Sequence, residues 1–144
     1  MTLADAVRYL VLERISRDDN TLNALIDYVN GLSPKEIAIK YNMSKNVIRG
    51  IWTRILEKCG STQKATALVR CVVPLLLKID LIVKQNGNAI ECTLCNAIFI
   101  KHRYANMAVA NHVKTSHWDY VEKISEEIIK KLREAVLNNN KKQI

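Results

Sequence analysis

The 144 residues carry 22 Lys and Arg against 14 Asp and Glu, a net charge of +8, and 49% of them are hydrophobic. That apolar content excludes a disordered chain, and four Gly with two Pro exclude a turn-rich β protein in favour of a mainly α one. The length holds one ordinary domain or two small ones, and the basic excess fits a nucleic-acid partner as well as a plain basic surface.

Residues 3–16 place Leu3, Val7, Leu10, Val11 and Ile15 at helical spacing, with Arg8, Glu13 and Arg14 elsewhere on the wheel, so an amphipathic helix is expected. The opening stretch has neither the basic region nor the cleavage site of a secretory signal. Asp18 or Asp19 is the expected N-cap of a second helix, which turns Leu22, Leu25, Ile26 and Val29 inward and stops at Gly31. "LSPKEIAIKY" starts a third, with Ser33 as N-cap, Pro34 at the first helical position and Glu36 completing a capping box. Ser44 caps a longer helix that ends at Cys59-Gly60, and a further helix runs from about residue 62, disturbed at Pro74.

The longest apolar run, "LVRCVVPLLLKIDLIV", is cut by Arg70, Pro74, Lys78 and Asp80, so no membrane span is expected. A cytoplasmic location follows as the expectation. In reducing surroundings the four Cys read as two metal ligands and two ordinary core residues, Cys59 and Cys71, rather than as disulfides.

"KQNGNAI" reads as the boundary before a cysteine-bearing segment. Past His117, Val121, Ile124, Ile128, Leu132 and Ala135 form one apolar stripe, and "LNNNKKQI" is expected to fray. The expected organisation is a multi-helical helix-turn-helix domain over 1–84 and a small ββα unit over 88–118. A C-terminal amphipathic helix over 119–138 and a frayed tail over 139–144 complete it.

The helix-turn-helix reading rests on the third and fourth helices. Ile37 and Ala38 are apolar and small enough for the fourth helix to cross closely, and Ile48, Trp52 and Ile55 face that core. Lys45, Asn46, Arg49 and Thr53 are left on the opposite face, toward a major groove, with Arg54 and Lys58 adding positive charge against Glu57 alone. On chemistry, Arg49 suits guanine or phosphate, Asn46 suits adenine, and Lys45 suits phosphate.

The stretch "GLSPKEIAIKYNMSKNVIRGIWTRILEKCGSTQKATALV" resembles the LuxR/GerE type of four-helix DNA-binding domain over about residues 18–78. Leu32, Glu36, Ile37, Ala38, Ser44, Ile48, Ile55, Lys58 and Gly60 carry the likeness. Bacterial sigma-factor region 4 uses a similar motif. The resemblance implies that Lys45, Asn46, Val47, Arg49 and Gly50 face DNA, with Arg54 and Lys58 near the backbone. It also implies dimerisation through the helix after Gly60. Two positions depart from the family: Asn23 stands where it has Glu, and Gly50 where it has Asn. A glycine inside a helix costs about 1 kcal/mol, and close backbone approach is a purpose that would offset it.

Cys92-x2-Cys95 followed by His112-x4-His117 has the ligand spacing of a tetrahedral zinc site. The segment alternates as a hairpin does, with Phe99 under the metal and Val109 three residues before His112, and so resembles the two-cysteine, two-histidine zinc finger. Sixteen residues separate Cys95 from His112 where that family has twelve, and His102 falls in the excess as a surface residue. Counted back from His112, the base-reading positions of such a finger would be Asn111, Ala108 and Ala105. Two alanines in three leave little to hydrogen-bond a base edge. A structural or partner-binding role is therefore expected, with phosphate contacts through Lys101 and Arg103.

There is no P-loop, no dinucleotide-binding turn and no nucleophile–base pair at a recognisable spacing, so the expectation is not an enzyme. The first functional reading is a sequence-specific double-stranded DNA-binding protein that regulates transcription, with zinc as cofactor and a homodimer as the form matching a palindromic site. The alternative is an interaction module that docks on RNA polymerase or another regulator through the finger, with DNA contact incidental.

Overall fold

Helix α1 (Leu3–Ser16) is buried on every side from Leu10 to Ser16, which no amphipathic surface helix would be. The computed structural model describes residues 3–17, 20–102 and 105–142, with 136–142 described by their backbone alone. Within these, α1 packs against α2 (Asn20–Val29), α4 (Lys45–Cys59), α5 (Thr62–Leu76), α6 (Ala105–Ser116) and α7 (Trp118–Lys142). The expected amphipathic character of α1 is thus corrected. Glu13 and Arg14, assigned to its outer face, are each 5% exposed. They are tolerated because they are partnered. Arg14 donates to the carbonyl of Ile79 through Nε at 2.9 Å and Nη2 at 2.7 Å, just past the end of α5, where a cation also suits the helix dipole. Glu13 pairs with Arg17 at 2.6 Å.

The helix starts follow their caps. Ser33 Oγ accepts from the Glu36 amide and Pro34 opens α3 (Pro34–Tyr41). Ser44 Oγ accepts from the Asn46 amide to start α4, and Gly60 ends that helix in the left-handed region at φ +85°. Ser61 caps α5 through the Lys64 amide, and α5 continues through Pro74 to Leu76. The expected caps Asp18 and Asp19 lie outside the described residues.

The stretch read as a boundary forms a hairpin. Strand β1 (Val83–Asn86) pairs antiparallel with β2 (Ala89–Cys92), joined by Gly87 and Asn88, with Gly87 at φ +62° as a two-residue turn with a first-position glycine requires. β2 pairs in turn with β3 (Ile98–Ile100), giving a three-stranded sheet in place of the expected two-stranded one. The molecule is mainly α, with seven helices and this small sheet among the described residues.

One buried apolar cluster runs through both parts, from Leu10 and Leu25 to Cys92, Val109, Val113 and Ile128. The backbone ties them as well: the Ile82 amide donates to Ile15 at the end of α1, and Thr93 donates to Ile82 through its amide and its hydroxyl. The C-terminal stripe buries Val121, Ile124 and Ile128, half-buries Leu132 and leaves Ala135 exposed, with α7 lying on α1 and α5. Its backbone stays helical to Lys142, through most of the tail expected to fray; residues 143–144 lie outside the described set. No described helix is long and apolar enough to cross a membrane.

Candidate functional site

Cys92, Cys95, His112 and His117 come together with all four ligand atoms within 4.8 Å of one another. Each arrives from a different device. Cys92 ends β2 and is fully buried, and its amide and carbonyl bond Ala97 and Asn96 to close the knuckle that turns Cys95 back. Asn96 adopts φ +64° there, a conformation that asparagine tolerates. His112 lies on α6, one face of which, Ala105, Val109 and Val113, is buried. His117 stands between two helices: its amide donates to Val113 to finish α6, and its carbonyl accepts from Tyr120 and Val121 to begin α7.

The spacing tests the fit. Bonds of about 2.0–2.3 Å to a tetrahedral ion put neighbouring sulfur and nitrogen atoms about 3.5 Å apart. Cys92 Sγ to His117 Nε2 is 3.5 Å and Cys95 Sγ to His112 Nε2 is 3.2 Å. The four residues therefore form a group that can hold a metal ion. Phe99 packs 5.2 Å from the His112 ring and so shields the group from below, as expected. Burial pushes the Cys92 thiol up, helped by the nearby Cys95, while burial and then His117 push His112 down. An ion bound here would therefore displace the Cys92 proton, and the shift of His112 favours the neutral imidazole that a metal requires. His102 is exposed and outside the group, as expected of a surface residue. α6 itself starts seven residues before His112, so the sequence excess lies ahead of this helix. Arg103 lies outside the described residues. Cys59 is buried as expected, whereas Cys71 is exposed: Val69, Val72, Val73 and Leu76 take the inward face of α5 and leave it outside.

The second candidate surface is α4. Ile48, Ile51, Ile55 and Cys59 are its buried stripe; Trp52 is only half-buried and meets Tyr28 edge-on at 5.4 Å. Steps of about 100° per residue then place Asn46 and Thr53 directly opposite that stripe, Lys45 and Arg49 on one flank, and Arg54 and Lys58 on the other. Lys45, Asn46, Arg49 and Thr53 are exposed; Val47 and Gly50 are half-buried. The Thr53 hydroxyl donates to the Arg49 carbonyl at 2.9 Å, leaving it an acceptor. A Cβ built on Gly50 would meet nothing within 4 Å, so no neighbour in this chain requires a glycine there. Arg54 and Lys58 turn toward α1: Arg54 Nη1 donates to the Tyr9 hydroxyl at 3.4 Å and Lys58 Nζ lies 5.7 Å from the Tyr9 ring centre. Burial and the adjacent Glu13 push the Tyr9 hydroxyl up to about 12, so it stays protonated.

The three alanine and asparagine positions of α6 are unequal. Ala105 is buried, Ala108 half-buried and only Asn111 exposed. No sequence signal marks Asn111 and Lys114 as sharing a cleft with Arg54 and Lys58, because α4 and α6 meet only through the fold, each packed on α1. Comparison of the chain with family models, curated proteins and solved structures gives no match.

Proposed function

We propose that this chain is a sequence-specific double-stranded DNA-binding protein that regulates transcription without being an enzyme, and that α4 is the helix that enters the major groove. The observation that carries the reading is the outward face of α4. It joins Lys45, Asn46 and Arg49, the side-chain types that contact phosphate, adenine and guanine, to a glycine that no neighbour in the fold requires. The net charge of +8 and the resemblance to LuxR/GerE domains support it. Val47 and Thr53 flank the contact, and Arg54 and Lys58 lie toward the backbone.

In the same reading the Cys2His2 group holds zinc, because two thiolates and two imidazoles at tetrahedral spacing suit that ion and leave no open position for catalysis. Its role is structural: it fixes α6 against α1 and sets the elbow from which α7 departs. Location in the cytoplasm and a homodimer on a palindromic site belong to the proposal. Selection of metal-loaded full-length protein against a random duplex library tests it. An enriched motif is expected, and a palindromic one supports the dimer. No enrichment would remove the DNA reading.

A second reading has its own observation. β3 is an edge strand whose Ile98 and Ile100 are 66% and 65% exposed, a surface suited to pairing with a protein strand. Docking on RNA polymerase or another regulator through this edge predicts that Ile98→Lys with Ile100→Lys abolishes partner capture while duplex binding stands.

A further inference from the structure

The positive flank of α4 forms one wall of a cleft of about 420 Å³, whose other walls are α1 and α6. Five cations line it, four from three helices and Arg17 just past the end of α1. Two are already paired: Arg8 with Asp5 at 3.0 Å, and Arg17 with Glu13 at 2.6 Å. The other three, Arg54 and Lys58 from α4 and Lys114 from α6, have no carboxylate at ion-pair distance among the described residues. Arg54 and Lys58 are instead steered by Tyr9, the first through its hydroxyl and the second over its ring. The Trp118 indole N–H is committed to Glu122 at 3.0 Å, so its ring serves as an apolar wall beside Lys114. Asn111 adds an exposed amide one turn before Lys114 on the same helix.

Five cations against Asp5 and Glu13 leave the cleft positive, although Arg54 also feels Glu13 and Glu57. Three cations without a direct ion pair leave room for an anion that spans the walls. We infer that this cleft seats the sugar–phosphate backbone of the bound duplex, with Arg54 and Lys58 on one side of the strand and Lys114 and Asn111 on the other. The inference rests on the DNA-binding reading of α4 and extends it: the metal-bearing segment touches DNA through phosphates rather than bases, and through α6 rather than through Lys101. Lys101 follows β3 and does not line the cleft. Successive phosphodiesters match an open cleft with cations on both walls, whereas a free nucleotide offers the same chemistry in one compact unit.

The test uses full-length metal-loaded protein and its selected duplex, with affinity measured from about 50 to about 200 mM salt. Lys114→Ala is expected to weaken binding about fivefold, equally for selected and scrambled duplex, and to lower the slope of log K against log salt by about 1. Lys101→Ala, the same charge change on the same segment, should stay near wild type, and adenosine monophosphate at constant ionic strength should not displace the duplex. Equal losses from Lys114→Ala and Lys101→Ala would reduce the effect to general charge and overturn the inference. So would displacement of the duplex by the mononucleotide, which would make the cleft a small-ligand site. If Arg49→Ala removes sequence preference while Lys114→Ala changes nothing, the inference falls and the α4 reading stands. If the wild-type protein binds no duplex at all, both fall.

Discussion

Helices α4 and α6 each close a motif of the kind that meets DNA, and they are built in opposite ways. α4 buries one stripe, Ile48, Ile51, Ile55 and Cys59, and turns a row of polar residues to solvent. α6 buries Ala105, Val109 and Val113, has alanines at 105 and 108 where a base-reading helix has long polar side chains, and carries a metal ligand near its end. A helix that reads bases must leave its working face free of its own protein. A helix whose position a metal fixes can serve by supporting a neighbour. The division of labour proposed here, α4 reading and α6 supporting, follows from that contrast and can be broken at several points.

The largest effect is expected at the metal group. Cys92→Ser removes a fully buried ligand, and loss of the ion should destabilise the chain by on the order of 5 kcal/mol, a part of the binding energy typical of structural zinc. Because the apolar cluster is continuous from Leu10 to Val113, heat unfolding should remain one transition in wild type and variant alike. A separate early transition confined to residues 83–117 in calorimetry would show α6 to be an independent module and end the supporting role.

Ile128→Ala comes next, at about 2–5 kcal/mol, since the side chain is 1% exposed. The loss should be the same at all protein concentrations, because α7 packs on α1 and α5 of its own chain. A concentration-dependent loss would assign the stripe to a second copy. Arg49→Ala should cost about 1–3 kcal/mol in specific duplex affinity and flatten preference at one base position. Asn111→Ala should leave preference intact, and a changed motif with that variant would make α6 a reader after all.

The smallest effect concerns the joint between α2 and α3. Asp27 accepts from Lys40 Nζ at 2.7 Å and from the Tyr41 hydroxyl, and these bonds, that to Lys40 first, hold its carboxyl below the usual carboxylate range. A depressed folded pKa gives stability that is complete above the unfolded value and is lost as pH falls through the folded one. Asp27→Asn should therefore flatten stability against pH below about pH 4. It should change stability little at neutral pH, since Lys40 is 55% exposed and the pair is screened by water. An unchanged acid limb would show the pair to be irrelevant to how α3 is presented.

What could be read from the chain beforehand was local chemistry. Ser33, Ser44 and Gly60 act within four residues of themselves, so their caps were legible, and the cysteine–histidine spacing needed only a knuckle and a helical turn. What escaped depended on distant partners. Glu13 and Arg14 look like surface residues until Ile79, sixty-five positions along, supplies the carbonyl that lets Arg14 be buried. The Gly87-Asn88 pair serves equally as linker or as hairpin turn, and only Val83 facing Cys92 across the sheet decides between them. Cys71 follows the same rule: nothing in its neighbours on the chain tells which side of α5 meets α1.

The most direct test of α4 as the reading helix is Gly50→Ala, with unfolding free energy and duplex affinity measured on the same preparation. Apart from the adjoining residues and backbone of α4 itself, nothing lies within 4 Å of the added methyl, so α4 should gain about 1 kcal/mol in stability. If the backbone at Gly50 approaches DNA, the same methyl should weaken binding to the selected duplex. A variant that is more stable and binds as well as wild type would contradict the placement of this face in the groove.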